Sequence, residues 1–197
     1  SVEAAKKASK KTAGLVNGVL RNMLRQRDAV LADLANQPPG IRLSHPDALI
    51  SRWLGRFGAD ETAALCELNN TPAETFLAYP PSPDHPPFVL LPRGTRVENV
   101  PDYTEGAFIV QDPATSASID LLDARPGMRV LDACAAPGGK TVQIAWRMGP
   151  PASENHALVA LDLHDDRLAT LRASLERTRQ TWVTAARADL TDETQNL

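Results

Sequence analysis

The chain has 197 residues, a formal net charge of −3 and 43% hydrophobic residues. That is enough chain for one or two domains with a buried core, and no apolar run approaches the ~20 residues of a membrane span. Cys66 and Cys134 have no zinc or disulfide-framework spacing, the four histidines are scattered, and no signal-peptide pattern opens the chain, so a cytoplasmic protein without a metal centre is expected.

The first 27 residues carry seven basic side chains, Lys6, Lys7, Lys10, Lys11, Arg21, Arg25 and Arg27, against Glu3 alone. This is either a phosphate-contacting surface or a solvated helix face. The chain opens inside a helical pattern and without an initiating Met, as part of a longer protein would. From Ala13 to about Ala35, Leu15, Val16, Val19, Leu20, Met23 and Leu24, then Val30, Leu31 and Leu34, recur at helical spacing. Pro38-Pro39-Gly40 ends that helix. Pro46 opens the next, with Ser44 or His45 near its cap and Leu49, Ile50, Trp53, Leu54 and Phe57 on one face. Gly58 closes it, and Asp60 is expected to cap a helix running to Asn69-Asn70 with Leu65, Cys66 and Leu68 inward. His45, beside proline at a helix start, reads as structural before catalytic. Residues 71–101 are Pro-rich and read as a linker, with 88–91 and 106–110 as short runs that can pair as strands. Asp112 is placed to cap a helix over 113–124, and Pro126-Gly127 turns the chain into a strand.

The stretch 128–141 reads M-R-V-L-D-A-C-A-A-P-G-G-K-T. It predicts a buried strand around Val130-Leu131 ending in Asp132, a tight turn of small residues, and a helix from Thr141 to Met148. Gly138 and Gly139 permit φ values that other residues avoid, and the first N–H groups of the helix face the turn. A P-loop requires glycine where Cys134 stands, and the dinucleotide pattern G-x-G-x-x-G is absent. The remaining turn of this kind, acid-x-Gly-x-Gly-x-Gly, belongs to S-adenosylmethionine-binding folds; its register here is Asp132, Cys134, Ala136, Gly138. Leu158 to Leu163 is a second predicted strand with Asp162 at its end, 165–179 an amphipathic helix, and 182–188 a third strand ending at Asp189. Strand–helix–strand–helix–strand with short connections predicts a parallel sheet with right-handed crossovers. Asp162 lies 22 positions after Lys140, near the ~20-residue spacing at which an acid meets ribose hydroxyls. Asp132, Asp162 and Asp189 all stand at carboxyl ends of strands, where ligands sit in open parallel sheets.

The run D-A-C-A-A-P-G-G-K-T is similar to the cofactor motif of the RNA 5-methylcytosine methyltransferases of the Sun/Fmu group. Other phrases resemble the same family in the same order. L-V-N-G-V-L-R-N-M-L-R resembles the last helix of a NusB-like RNA-binding domain; S-H-P-x-x-L-x-x-R-W and the Asn-Asn helix end follow, then G-A-F-I-V-Q-D-P-A-T-S-A. The resemblance implies an α/β fold: a helical N-terminal region over 1–70, a Pro-rich linker with short strands and a helix over 71–125, and over 126–197 the first three strands of a Rossmann-like methyltransferase sheet. It implies S-adenosyl-L-methionine as cofactor, held by Cys134, Ala135, Ala136, Pro137, Gly138, Gly139 and Lys140 around its methionine portion, by Asp162 on the ribose and by Asp189 near the adenine amino group. It implies RNA as partner, in this group small-subunit (16S) ribosomal RNA, and no membrane. The family opens a small RNA-facing subdomain with an Arg-Val-Asn strand; this chain has T-F-L-A-Y at 75–79 and looks short there. The family's nucleophilic cysteine and its partner cysteine stand in Asp-Ala-Pro-Cys and Pro-Cys-[Thr/Ser] motifs, neither of which occurs in these residues. No catalytic residue is therefore assigned, and the chain alone is expected to be inactive. The competing readings are a non-catalytic RNA-binding or assembly module and, less well matched, a P-loop-like nucleotide binder.

Overall fold

A computed structural model describes residues 5–7, 10–151 and 153–192. Glu3 of the basic stretch, the side chains of Lys10 and Lys11, and the last five residues of the predicted 126–197 region lie outside the described part. The chain divides into two compact units, residues 1–72 and 73–197.

The first unit is helical: α1 (Lys10–Arg25), α2 (Arg27–Ala35), α3 (Pro39–Arg42), α4 (Asp47–Phe57) and α5 (Ala59–Asn69). The predicted single helix over 13–35 is two, with Gln26 between them. The apolar stripe of α1 is open within this unit, Leu15 being 70% and Met23 55% exposed. Leu43, Ile50 and Cys66 form a small core against Trp53. Two expectations are corrected. Gly58, not Asp60, occupies the cap position of α5, and Asp60 only complements the helix dipole in its first turn. Leu68 is 66% exposed, because Thr62 and Cys66, four apart, define the inward stripe. Pro46 takes the cap position of α4, with Ser44 and His45 directly before it.

His45 is explained by packing. Its Nδ1–H donates to the Leu43 carbonyl at 2.5 Å, which leaves Nε2 to accept from Asn69 Nδ2 at 3.4 Å. The ring meets Trp53 edge-on, centroids 5.6 Å apart, and Asn70 Nδ2 donates to the same Leu43 carbonyl at 2.9 Å. His45→Ala is expected to destabilise this unit by about 1 kcal/mol, the worth of one net hydrogen bond; the Asn70 contact keeps the carbonyl satisfied. The measurement is the urea midpoint of the variant, and an unchanged midpoint contradicts the structural role.

The second unit holds two sheets. Residues 71–101 are not a mere linker. β1 (Thr75–Ala78) is the central strand of an antiparallel sheet of order β2-β1-β3, with β2 at Phe88–Leu91 and β3 at Ile109–Val110. The two runs expected to pair as strands do so on opposite edges of β1, Leu77 standing opposite both Val89 and Val110. Leu77, Leu91 and Phe108 form its core, with Tyr79 and Tyr103 packed on it.

After a 3₁₀ turn (Pro113–Ser116), α6 (Ala117–Leu122) leads to the second sheet: β4 (Arg129–Asp132), α7 (Gly139–Met148), β5 (Ala157–Asp162), α8 (Asp165–Arg177) and β6 (Thr184–Arg187). Asp112 caps the 3₁₀ turn, accepting from Ala114 N at 2.8 Å. The sheet is parallel, order β4-β5-β6, as expected. The crossovers step one strand each in the same direction, and with the usual right hand this puts α7 and α8 on one face. There Val142, Met148, Leu158, Ala160, Leu168 and Leu171 are buried together. The expectation that the Val130-Leu131 strand is buried holds in part for Val130, packed on that core, and fails for Leu131 for the same reason. Leu131 is 53% exposed on the other face, in a shallow hollow of about 440 Å³ shared with Val159 and Leu161 and flanked by Arg129 and Arg187. At the amino ends of the strands, Gly127 N donates to His156 Nδ1 at 2.9 Å and tethers the Pro126-Gly127 turn.

Candidate cofactor-binding site

β4 ends at Asp132, and the chain must then reach the first turn of α7 within a few residues. Four bonds shape that path. The Asp132 carboxylate accepts from Thr141 Oγ1 at 2.7 Å, closing the turn on itself. Ala135 N donates to Leu161 O at 2.9 Å and Ala136 N to Asp162 Oδ2 at 3.2 Å, anchoring the turn to the end of β5. Ser174 Oγ of α8 donates to Pro137 O at 3.1 Å. The Ala136–Pro137 peptide is cis.

The two glycines do different work. Gly138 has φ +109, in the left-handed region that a Cβ disfavours, and its own Cβ would stand 2.9 Å from Leu171 Cδ1. Gly139 has no positive φ, which corrects the expectation that both serve backbone freedom. A Cβ there would meet the Gln111 carboxamide oxygen, the movable end of a flexible side chain, so the position presses Gln111 without demanding glycine as Gly138 does. Gln111 is held in place by donating Nε2–H to Thr115 Oγ1.

Asp162 is 7% exposed. Its Oδ1 accepts from His164 N at 3.1 Å, so each oxygen carries one backbone N–H and keeps a further lone pair. The His164 N–H, then the Ala136 N–H, with Arg167 nearby, hold its pKa below the ordinary Asp value, against the effect of burial. A lowered carboxyl pKa means that the tether is complete above the ordinary Asp pKa of about 3.9 and is lost as pH falls below it. The expected result is a loss of melting temperature on acidification below that range that is steeper in the natural chain than in Asp162→Asn; parallel curves would contradict the tether.

The cleft beside the turn measures about 380 Å³. All of Cys134, Ala135, Ala136, Pro137, Gly138, Gly139 and Lys140 line it. The opposite wall comes from the antiparallel sheet and its loops, through Glu98, Tyr103, Val110 and Gln111, with Arg177 of α8. Asp162 borders the turn through Ala136. Asp189 does not line this cleft; it lies in a separate hollow of about 250 Å³ with Leu163, Arg187 and Asp192. Its carboxylate accepts from Thr191 Oγ1 at 2.6 Å and Thr191 N at 2.9 Å, and these two bonds lower its pKa. The three strand-end acids therefore do not converge: Asp132 is spent on Thr141, Asp162 meets the turn, and Asp189 faces its own hollow. Cys134 is exposed, and Cys66 is buried in the other unit. Of the wall residues, only Gln111 had a sequence signal, in V-Q-D; Glu98 and Arg177 carry none, because only the tertiary fold brings them to the turn.

Residues 119–197 match the family described as 16S rRNA methyltransferase RsmB/F. Ribosomal RNA small subunit methyltransferase B of Pseudomonas syringae is 32% identical across 83% of this chain and 40% of its own length. The Klebsiella pneumoniae protein of the same name is 33% identical across 83% of the chain and 41% of its own. The chain thus spans about two fifths of the length of these relatives. A methyltransferase homolog protein of Pyrococcus horikoshii superposes with a TM-score of 0.61 over 76% of this chain and 54% of its own, at 20% identity, and shares the fold. Among the described residues no helix is long and apolar enough to cross a membrane, and no group of His, Cys, Asp and Glu is arranged to hold a metal ion. The cofactor turn and the whole parallel sheet fall inside the stretch, residues 119–197, that is similar to the RsmB/F methyltransferases.

Proposed function

We propose that this chain binds S-adenosyl-L-methionine and is the cofactor-binding part of a cytosine-5 methyltransferase acting on ribosomal RNA in the cytoplasm. The observation that carries the reading is the 134–140 turn, bent at Gly138 by a left-handed φ and tied at Ala136 to the Asp162 carboxylate. The residues present fit that cofactor. Small side chains let a ligand reach the backbone, and the remaining lone pairs of Asp162 suit a ribose diol. Lys140, exposed in the first turn of α7, offers a cation to the carboxylate of the methionine portion. Asp189 takes the adenine amino group from the neighbouring hollow. When bound, the cofactor supplies the methyl group; these residues orient it and hold its polar ends.

Cytosine-5 methylation needs a nucleophile to activate the ring. Neither cysteine is suited: Cys66 is buried in the helical unit and Cys134 belongs to the cofactor turn. The 197-residue chain is therefore a binding module on its own. Calorimetric titration is expected to show binding of S-adenosylhomocysteine and none of ATP; the reverse would restore the P-loop reading. Incubation with labelled S-adenosylmethionine and small-subunit ribosomal RNA is expected to transfer no methyl group, and transfer would overturn the module assignment.

A further inference from the structure

One face of α8 touches both walls of the cleft. Leu171 and Ser174 stand against the cofactor turn, at Gly138 and Pro137. Three residues on, Arg177 reaches the antiparallel sheet. Its Nη1–H donates to Tyr103 O at 2.8 Å, its Nη2–H donates to Phe108 O at 3.0 Å, and its guanidinium lies 4.4 Å from the Tyr103 ring centre. Gly106, in the same loop, packs so closely on the carbonyl of Arg177 that no Cβ fits between them. The loop's own bonds, Gly106 N to Tyr103 O at 3.1 Å and Ala107 N to Asp102 O at 3.2 Å, fold it around this contact. Residues 171, 174 and 177 lie along one side of the helix at a spacing of three.

We infer that Arg177 is a positioning residue. It fixes the 103–108 loop, and with it the far wall of the cleft, at a set distance from the cofactor turn. A planar fork that satisfies two carbonyls and stacks on an aromatic ring is a geometry lysine does not reproduce. Arg177 itself need not touch the ligand. The consequence for the ligand rests on the cofactor reading above; the consequence for the loop does not.

The test uses the 197-residue chain in two arms. In the ligand-free arm, amide exchange is followed at 103–108 and in β5. Arg177→Ala is expected to accelerate exchange at 103–108 about tenfold or more, the effect of losing charge-assisted bonds, with β5 unchanged. Arg177→Lys is expected to fall between, and added ethylguanidinium to slow the Arg177→Ala loop towards the natural rate. Unchanged exchange at 103–108, acceleration that includes β5, or failure of ethylguanidinium to restore the loop each overturns the assignment. In the second arm, S-adenosylhomocysteine is titrated by calorimetry. Arg177→Ala is expected to bind about tenfold more weakly, with recovery on adding ethylguanidinium; equal affinity overturns the role of Arg177 in the site. Absence of binding by the natural chain overturns the cofactor reading instead, and the ligand-free arm then decides the loop by itself.

Discussion

Asp162→Ala is expected to weaken S-adenosylhomocysteine binding about a hundredfold or more, the scale of two lost charge-assisted hydrogen bonds. Two effects act together. The ribose diol loses its acceptor, and the turn loses the bond from Ala136 N that aims it at β5. Asp162→Asn is expected to recover little. Both carboxylate oxygens accept backbone N–H groups, from Ala136 and His164, so an amide must present its NH₂ to one of these donors. Asp189→Ala is expected to cost about tenfold or less, since that side chain lies in the neighbouring hollow and is already engaged with Thr191; one contact to the adenine end is worth about that much. Calorimetry on the three variants checks the order. Natural affinity in Asp162→Ala would remove this carboxylate from the site, and a larger effect at Asp189 would move the ligand's anchor to the end of β6.

What the sequence discloses follows the range of the forces involved. The order of strands and helices from 128 onward was readable because each element is specified locally. Short apolar runs such as Val130-Leu131 and 157–161 end in an acid, and helices carry leucines three and four apart, as at Leu168, Leu171 and Leu175. Capping by Asp112 was readable for the same reason. The antiparallel sheet was not. β1 is four residues, T-F-L-A, joined to its partners by long loops and not by two-residue hairpin turns, and its pairing with 88–91 and 109–110 is set by tertiary packing around Phe108. Side-chain direction was also hidden. Asp132 and Asp162 read alike as acids at strand ends, yet one is turned to Thr141 and the other to the turn. Gly139 read as a flexible residue, whereas it has no positive φ and its neighbour is the Gln111 side chain, 28 positions earlier. The open face of the parallel sheet could be reasoned only after the crossovers were known, because it depends on both helices landing on one side.

The second large effect is expected at Gly106, and Gly94 supplies its control. Both have left-handed φ, +76 and +85, in the same unit. At Gly94 nothing lies within 4 Å of where a Cβ would stand; at Gly106 the Cβ would overlap the carbonyl of Arg177, a backbone atom that no rotamer change can move aside. Gly94→Ala therefore costs only conformational strain, about 1 kcal/mol. Gly106→Ala carries the same strain plus a steric conflict that either separates the 102–108 loop from α8 or bends the helix end, and the total is expected to reach roughly 3 kcal/mol or more. In thermal melts the two correspond to a few degrees and to on the order of 10 °C. Because the loop carries Tyr103 and Phe108, whose carbonyls receive Arg177, Gly106→Ala should also release the guanidinium. Its melting loss and that of Arg177→Ala are then expected to be less than additive in the double variant, as for residues that share one contact. Full additivity would mean that the loop and the arginine stabilise the fold independently, and equal melting losses at Gly94 and Gly106 would mean that the helix end yields to the added methyl group.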